Sequence, residues 1–235
     1  MNRYLNTVTT TLCATLMAAF GAAYLRADET PQERLQAATE VISEIMSAPD
    51  KGIPQDLLDK AHCIVIVPGL KKGAFIVGGK YGRGFVSCRA SGRRGWSAPG
   101  AVRVEGGSVG FQIGVSETDV ILLVMNARGA DKLLLSQFTL GGAGEVAAGP
   151  VGRSATAQTD ALMRAEILSW SRSRGVFAGI SLQGATLRQD MDANQVLYGK
   201  RIENRDVVKQ GTAPPSAASG LLRVLNQYSR AEVKG

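Results

Sequence analysis

Residues 109–125 read Val-Gly-Phe-Gln-Ile-Gly-Val-Ser-Glu-Thr-Asp-Val-Ile-Leu-Leu-Val-Met, and they carry two different strand signatures. Val109, Phe111, Ile113 and Val115 alternate with Gly110, Gln112 and Gly114, the period of two that marks a half-buried strand. Val120 to Met125 is apolar at every position, so it is expected at the centre of a sheet, covered on both faces. Glu117 and Asp119 lie between the two and are expected to flank a hairpin turn.

Upstream the strand pattern continues. Cys63-Ile64-Val65-Ile66-Val67 is a short apolar run stopped by Pro68-Gly69. Ala74 to Gly79 and Gly84 to Arg89 flank Lys80-Tyr81-Gly82-Arg83, which predicts a hairpin, and Val102-Arg103-Val104 predicts another short strand. Glycine-rich strands are expected again from Phe138 to about Thr186. The 28 glycines among 235 residues exceed the usual usage of about 7% and follow no period, which excludes collagen and favours turns and closely approaching strands.

Helices are expected at the two ends. Thr30 can cap, Pro31 suits the first helical position and Glu33 can complete a capping box; Leu35, Ala38, Ile42, Ile45 and Met46 then share one face up to Pro49. A short helix over Pro54–Ala61, one or two helical turns over Ala130–Gln137, and a helix over Asp190–Tyr198 closed by Gly199 are also predicted. The segment 211–220, with Pro214-Pro215, reads as a linker, and Leu221, Leu222, Val224, Leu225 and Tyr228 as a small amphipathic tail helix. Helices followed by many strands, without regular strand–helix alternation, predict an α+β fold. In it, N-terminal helices pack on a largely antiparallel, glycine-rich, sandwich- or barrel-like sheet system, with a short helix at the C-terminus.

Residues 1–27 read as a secretory signal peptide: Arg3 leads, and Leu5–Tyr24 is apolar or threonine-rich without charge. The expected organisation is a signal peptide at 1–27, one domain at 28–210, and a linker with tail at 211–235. Export places Cys63 and Cys88 in an oxidising compartment, where they are either a disulfide or two small buried thiols.

The net charge of +7 favours an anionic partner. Its distribution is more informative. No acidic residue occurs from Ala61 to Val104, which carries Lys71, Lys72, Lys80, Arg83, Arg89, Arg93, Arg94 and Arg103. Catalytic patterns are weak. With a single histidine, His62, no zinc-ligand set of usual spacing appears, and no metal or cofactor is expected. Ser108 has the Gly-x-Ser-x-Gly spacing, at 106–110, but in a glycine-rich segment that reads as a strand turn rather than a strand-to-helix elbow. Gly106-Gly107-Ser108-Val109-Gly110 and Gly141-Gly142-Ala143-Gly144 lack the Lys-Ser/Thr ending of a nucleotide loop. An enzyme is therefore not expected.

From Val146-Ala147-Ala148-Gly149-Pro150-Val151-Gly152-Arg153 the sequence resembles the SYLF-domain family. The resemblance continues through Trp170-Ser171-Arg172-Ser173-Arg174-Gly175-Val176-Phe177-Ala178-Gly179-Ile180-Ser181-Leu182-Gln183-Gly184 and upstream at Gly73–Gly84, and it closes at Asn194–Gly199. It covers roughly residues 33–200, with Trp170 where an aromatic, often Tyr, is usual. The resemblance implies membrane-lipid binding, with actin binding in fungal relatives. The leader and the lack of SH3 or FYVE modules imply an exported, bacterial member, periplasmic or secreted and peripherally membrane-associated. Such a protein would meet neither cytoplasmic actin nor nucleic acid. The expected ligand is an anionic phospholipid, held by Lys71, Lys72, Lys80 and Arg83, with Arg153, Arg172 and Arg174 as further candidates because arginine grips phosphate bidentately. The alternative is a structural or adhesive envelope protein that binds a polyanionic polymer or a protein.

Overall fold

The computed structural model describes residues 29–48, 52–89, 95–140, 146–148, 166–173, 176–177, 182 and 184–229. The expected signal peptide, Arg93, Arg94, Arg153, Arg174 and most of the 149–183 motif lie outside the described residues. Strands are β1 (Cys63–Cys88), β2 (Gly100–Val124), β3 (Gln137–Thr139), β4 (Val146–Ala148), β5 (Ile167–Ser173), β6 (Val176–Phe177) and β7 (Thr186–Gln189). Helices are α1 (Pro31–Ser47), α2 (Gln55–Lys60), α3 (Ala127–Leu133), α4 (Met191–Tyr198), α5 (Asn204–Lys209) and α6 (Ser219–Tyr228), the last preceded by a 3-10 turn at Ser216–Ala218.

The apolar run at the end of β2 is central, as its sequence requires. Val120–Val124 pairs with Val67–Cys63 of β1 on one side and with Ser171–Ile167 of β5 on the other. Ile121 and Leu123 join Ile64, Ile66, Phe85, Leu168 and Trp170 in the core under α1 and α6. Val120, Leu122 and Val124 join Val65, Val86, Val102 and Leu187 in a second core on the opposite face. The seven strands run in the order β3-β7-β2-β5-β4, with β1 on β2 and β6 on β5. Every pairing is antiparallel except β4 with β5. The sheet stays open, and the fold is α+β.

Two expectations about turns are corrected. Lys80-Tyr81-Gly82-Arg83 is not a hairpin: it lies inside the 26-residue β1, paired residue for residue with Gly106–Arg103. Likewise, Glu117 and Asp119 flank no turn but sit within the 25-residue β2, opposite Lys71 and Arg172 respectively. The glycines serve close approach here. β1 bends at Pro68-Gly69, where the ladder slips by one residue, Gly69 has φ 55°, and its N–H donates to Asp119 Oδ1 at 3.0 Å. The ladder shifts again between Ala74 and Ile76, and the two arms of β1 on either side of that second shift come together: the Arg89 N–H donates to the His62 carbonyl at 2.8 Å. A Cβ on Gly84 would stand 2.0 Å from the Ile66 carbonyl oxygen.

Cys63 and Cys88 bridge these arms as a disulfide, with Cα atoms 3.9 Å apart. The sequence separation of 25 corresponds to about 3.5 kcal/mol of lost unfolded-chain entropy.

In α1, Leu35, Ala38, Ile42 and Ile45 are buried at the helical spacing expected. The helix expected as a tail is part of the same core, because Leu221 and Leu225 of α6 are buried against α1. Its end is tied down too. The buried Arg89 guanidinium stacks 4.1 Å over Trp96 and donates to the Leu58 and Ala61 carbonyls and to Ser229. The Trp96 indole donates to the Ser229 carbonyl at 3.1 Å. α3 starts at Ala127 rather than Ala130, since the Asn126 carboxamide accepts from the Gly129 N–H at 2.7 Å. α4 is capped by Asp190 and ended by Gly199 at φ 71°.

Candidate lipid-binding surface

The bend at Pro68-Gly69 sets the position of the first lysines. Lys71 is exposed and opposite Glu117, itself exposed; Lys72 is half-buried and opposite Ser116. Because the arms of β1 lie side by side, Lys72 comes near Lys80. Lys80 is buried at 7% exposure, and its ammonium is pushed below the usual lysine range, first by burial and then by the charge of Lys72. Lys72 and Lys80 thus form one basic pair, whereas Lys71, next along the strand, leaves the opposite face of the sheet with Glu117.

The remaining candidates go elsewhere. Arg83 is paired: its Nε donates to the Tyr81 hydroxyl at 2.6 Å and lies 3.7 Å from Asp190 Oδ2. Arg172 binds Asp119 Oδ2 at 2.8 Å and also Glu44, tying α1 to the sheet. Burial opposes its charge, but the hydrogen bonds to Asp119 and Glu44 outweigh that and raise its pKa.

Two arginines that no local pattern singled out for a ligand join Arg83. Arg83 is directly opposite Arg103, and Arg103 is directly opposite Arg188 of β7. Arg103 belongs to the acid-free stretch, but Arg188 reaches it only through the long-range pairing of β7 with β2, which leaves no mark in the sequence.

His62, at the mouth of β1, has a lowered pKa because of burial and then the charge of Arg89. Among the described residues no group of three or more His, Cys, Asp or Glu side chains is placed to hold a metal ion. Among the same residues no helix is long and apolar enough to cross a membrane.

A family model described as Ysc84, Las17-binding protein actin regulator, matches residues 105–228, more than half of the chain. An SH3 domain-containing protein of Schizosaccharomyces pombe is 39% identical over 178 residues, which is 74% of this chain and 41% of that protein. The SH3 domain-containing YSC84-like protein 1 of Homo sapiens is 32% identical over 196 residues, 83% of this chain and 56% of that protein. The LAS seventeen-binding protein 3 of Saccharomyces cerevisiae (strain ATCC 204508 / S288c) is 35% identical over 181 residues, 75% of this chain and 39% of that protein. The chain thus spans about half the length of these relatives, which are named for binding or for an SH3 domain. The match at 105–228 takes in most of β2, its partners β5 and β7, and α6, so the chain belongs to the Ysc84/SYLF-domain family.

Proposed function

We propose that this protein is a non-catalytic binder of anionic membrane phospholipid, and that the surface around Lys71 and Lys72 makes the contact. One observation carries the reading. Lys72 and Lys80 are held close enough for one charge to disfavour the other, and Lys71, next along β1, is exposed on the opposite face of the strand. An anionic headgroup relieves that repulsion. Lys80 is buried, so it adds field rather than direct contact, and Arg172 serves the α1–sheet joint.

Each basic residue near an anionic surface contributes about 1 kcal/mol, so losing two weakens capture about thirtyfold. Sedimentation with phosphatidylcholine vesicles, with and without phosphatidylglycerol, is the direct test. Capture is expected only with the anionic lipid, falling with added salt and in the Lys71→Gln, Lys72→Gln variant. No capture under any of these conditions ends the lipid reading.

A second reading comes from the relatives. The matched family is described as Las17-binding, and a yeast relative is named for binding LAS seventeen, so a protein partner is the alternative ligand. Under it, the basic surface meets an acidic segment of another protein or an envelope polymer.

Export is part of the proposal. The intact mass of protein purified from its own cells reads it together with the thiol state. Removal of residues 1–27 is expected, and reduction should add two hydrogens. A full-length mass rejects export, and an unchanged mass on reduction rejects the Cys63–Cys88 bridge in the cell.

A further inference from the structure

We propose that Arg83, Arg103 and Arg188 form a phosphate-binding row across β1, β2 and β7, separate from the Lys71–Lys72 surface. The register places the three directly opposite one another, Arg83 to Arg103 and Arg103 to Arg188. Neighbouring strands are about 4.8 Å apart, and directly opposed residues leave the same face, so three guanidinium groups stand side by side. The face is that of Phe85 and Ala101, which are buried two positions further along each strand. At the row the cover ends, and the side chains of Arg83, Arg103 and Arg188 are 31%, 36% and 41% exposed.

Like charges directly opposed in a sheet are unfavourable, so the row needs negative charge. Two carboxylates supply part of it. Glu105 places Oε1 at 3.0 Å from Arg103 Nε and Oε2 at 3.6 Å from Arg188 Nε, and Asp190 lies 3.7 Å from Arg83 Nε. Arg103 and Arg188 share the single carboxylate of Glu105, which leaves one positive charge over between them.

The donors are also in excess. Nε of Arg103 and Nε of Arg188 are buried without a hydrogen-bond partner, although Glu105 is close enough to each for charge attraction. Buried donors without acceptors are rare and costly, and here two of them sit in one row. A phosphate group brings the missing negative charge, while the two buried Nε atoms stay beyond its reach. It meets the exposed outer edges of planar, fork-shaped donors that bind it two bonds at a time. The phosphate can belong to a lipid headgroup, in which case the site rests on the membrane reading above, or to a soluble compound.

Two probes separate these sources. Inorganic phosphate is expected to raise the thermal midpoint of the wild-type protein above that in chloride at equal ionic strength. The Arg103→Gln, Arg188→Gln variant should lose that rise, once the general stabilisation by excluded phosphate common to both proteins is subtracted. The Lys71→Gln, Lys72→Gln variant should keep it. Capture by phosphatidylcholine vesicles containing phosphatidic acid should fall about tenfold or more in the arginine variant. Arg103→Lys should fall as well, because it keeps the charge and loses the fork. Arg188→Gln alone, which removes one opposed charge and leaves Glu105 its closer partner, serves if the double variant does not fold. A phosphate-dependent rise without vesicle capture supports a soluble phosphate ligand and counts against the membrane reading. An equal rise in wild type and arginine variants, or no rise in wild type together with vesicle capture indifferent to both arginines, overturns the row.

Discussion

Gly84→Ala is expected to unfold the protein about 10 °C earlier in a thermal melt than wild type, a loss of about 3 kcal/mol or more. Gly84 is not a turn residue. It lies within β1, paired with Val102, and is not among the glycines at positive φ. What it provides is space. A methyl group there would stand 2.0 Å from the Ile66 carbonyl oxygen and 2.8 Å from Val67 Cα. Both are backbone atoms of the facing arm, so no rotamer change relieves the clash. The arms of β1 must part, and Ile64, Ile66 and Phe85 lose their shared packing under α1. Gly107→Ala is the control, because a Cβ there meets nothing within 4 Å, and its midpoint should stay within about 0.5 kcal/mol of wild type. An unchanged midpoint for Gly84→Ala would show that the arms do not meet at this point.

The second large effect is expected at Asn194, where Asn194→Ala should cost about 4 kcal/mol in urea unfolding. Asn194 is fully buried on α4 and satisfied at each polar atom. Its Oδ1 accepts from the Ala101 N–H at 2.8 Å, and its Nδ2 donates to the Ile202 carbonyl at 2.9 Å and to Asn204 Oδ1 at 2.8 Å. Asn204 Nδ2 in turn donates to the Ala101 carbonyl at 2.9 Å. The two carboxamides thus join α4 and α5 to the start of β2. Alanine leaves the Ala101 N–H and the Ile202 carbonyl without this partner, each orphan costing about 1–3 kcal/mol. Asn204→Ala attacks the same network, so the double variant should cost less than the two singles together. Strict additivity would mean that the pair does not act as a unit.

These two residues show how unevenly the fold is written in the chain. The helices α1 and α4 and the central apolar end of β2 follow from local pattern: apolar residues at helical spacing, capping residues at Thr30 and Asp190, a stop at Gly199, and a run from Val120 that has no polar face. By contrast, Lys80-Tyr81-Gly82-Arg83 carries turn chemistry but forms strand, because its glycine answers to Val67 and Leu70 across the bend. The 211–220 segment looks like a linker by composition. Only the packing of Leu221 and Leu225 on α1 makes α6 part of the domain.

The candidate surface divides in the same way. The acid-free run from Ala61 to Val104 is plain in the sequence, and so is the exposed position of Lys71 beside a strand break. Composition does not distinguish a lysine that faces water from one that is buried, nor an arginine open to a ligand from one already held. Lys80 is buried within the long β1, and Arg172 is engaged because α1 brings Glu44 to it.

By itself, then, the sequence determined the classes of element, the central strand, the resemblance between Val146 and Gly184, and the segment in which positive charge accumulates. Periodicity, capping and local charge are properties of neighbours along the chain, so they can be read there. The tertiary structure decided which arms of β1 meet, which of its cations remain at the surface, and that Arg83, Arg103 and Arg188 share one row. Those outcomes depend on strand register and on packing between residues far apart in sequence, where a shift of one position would turn every side chain to the other face.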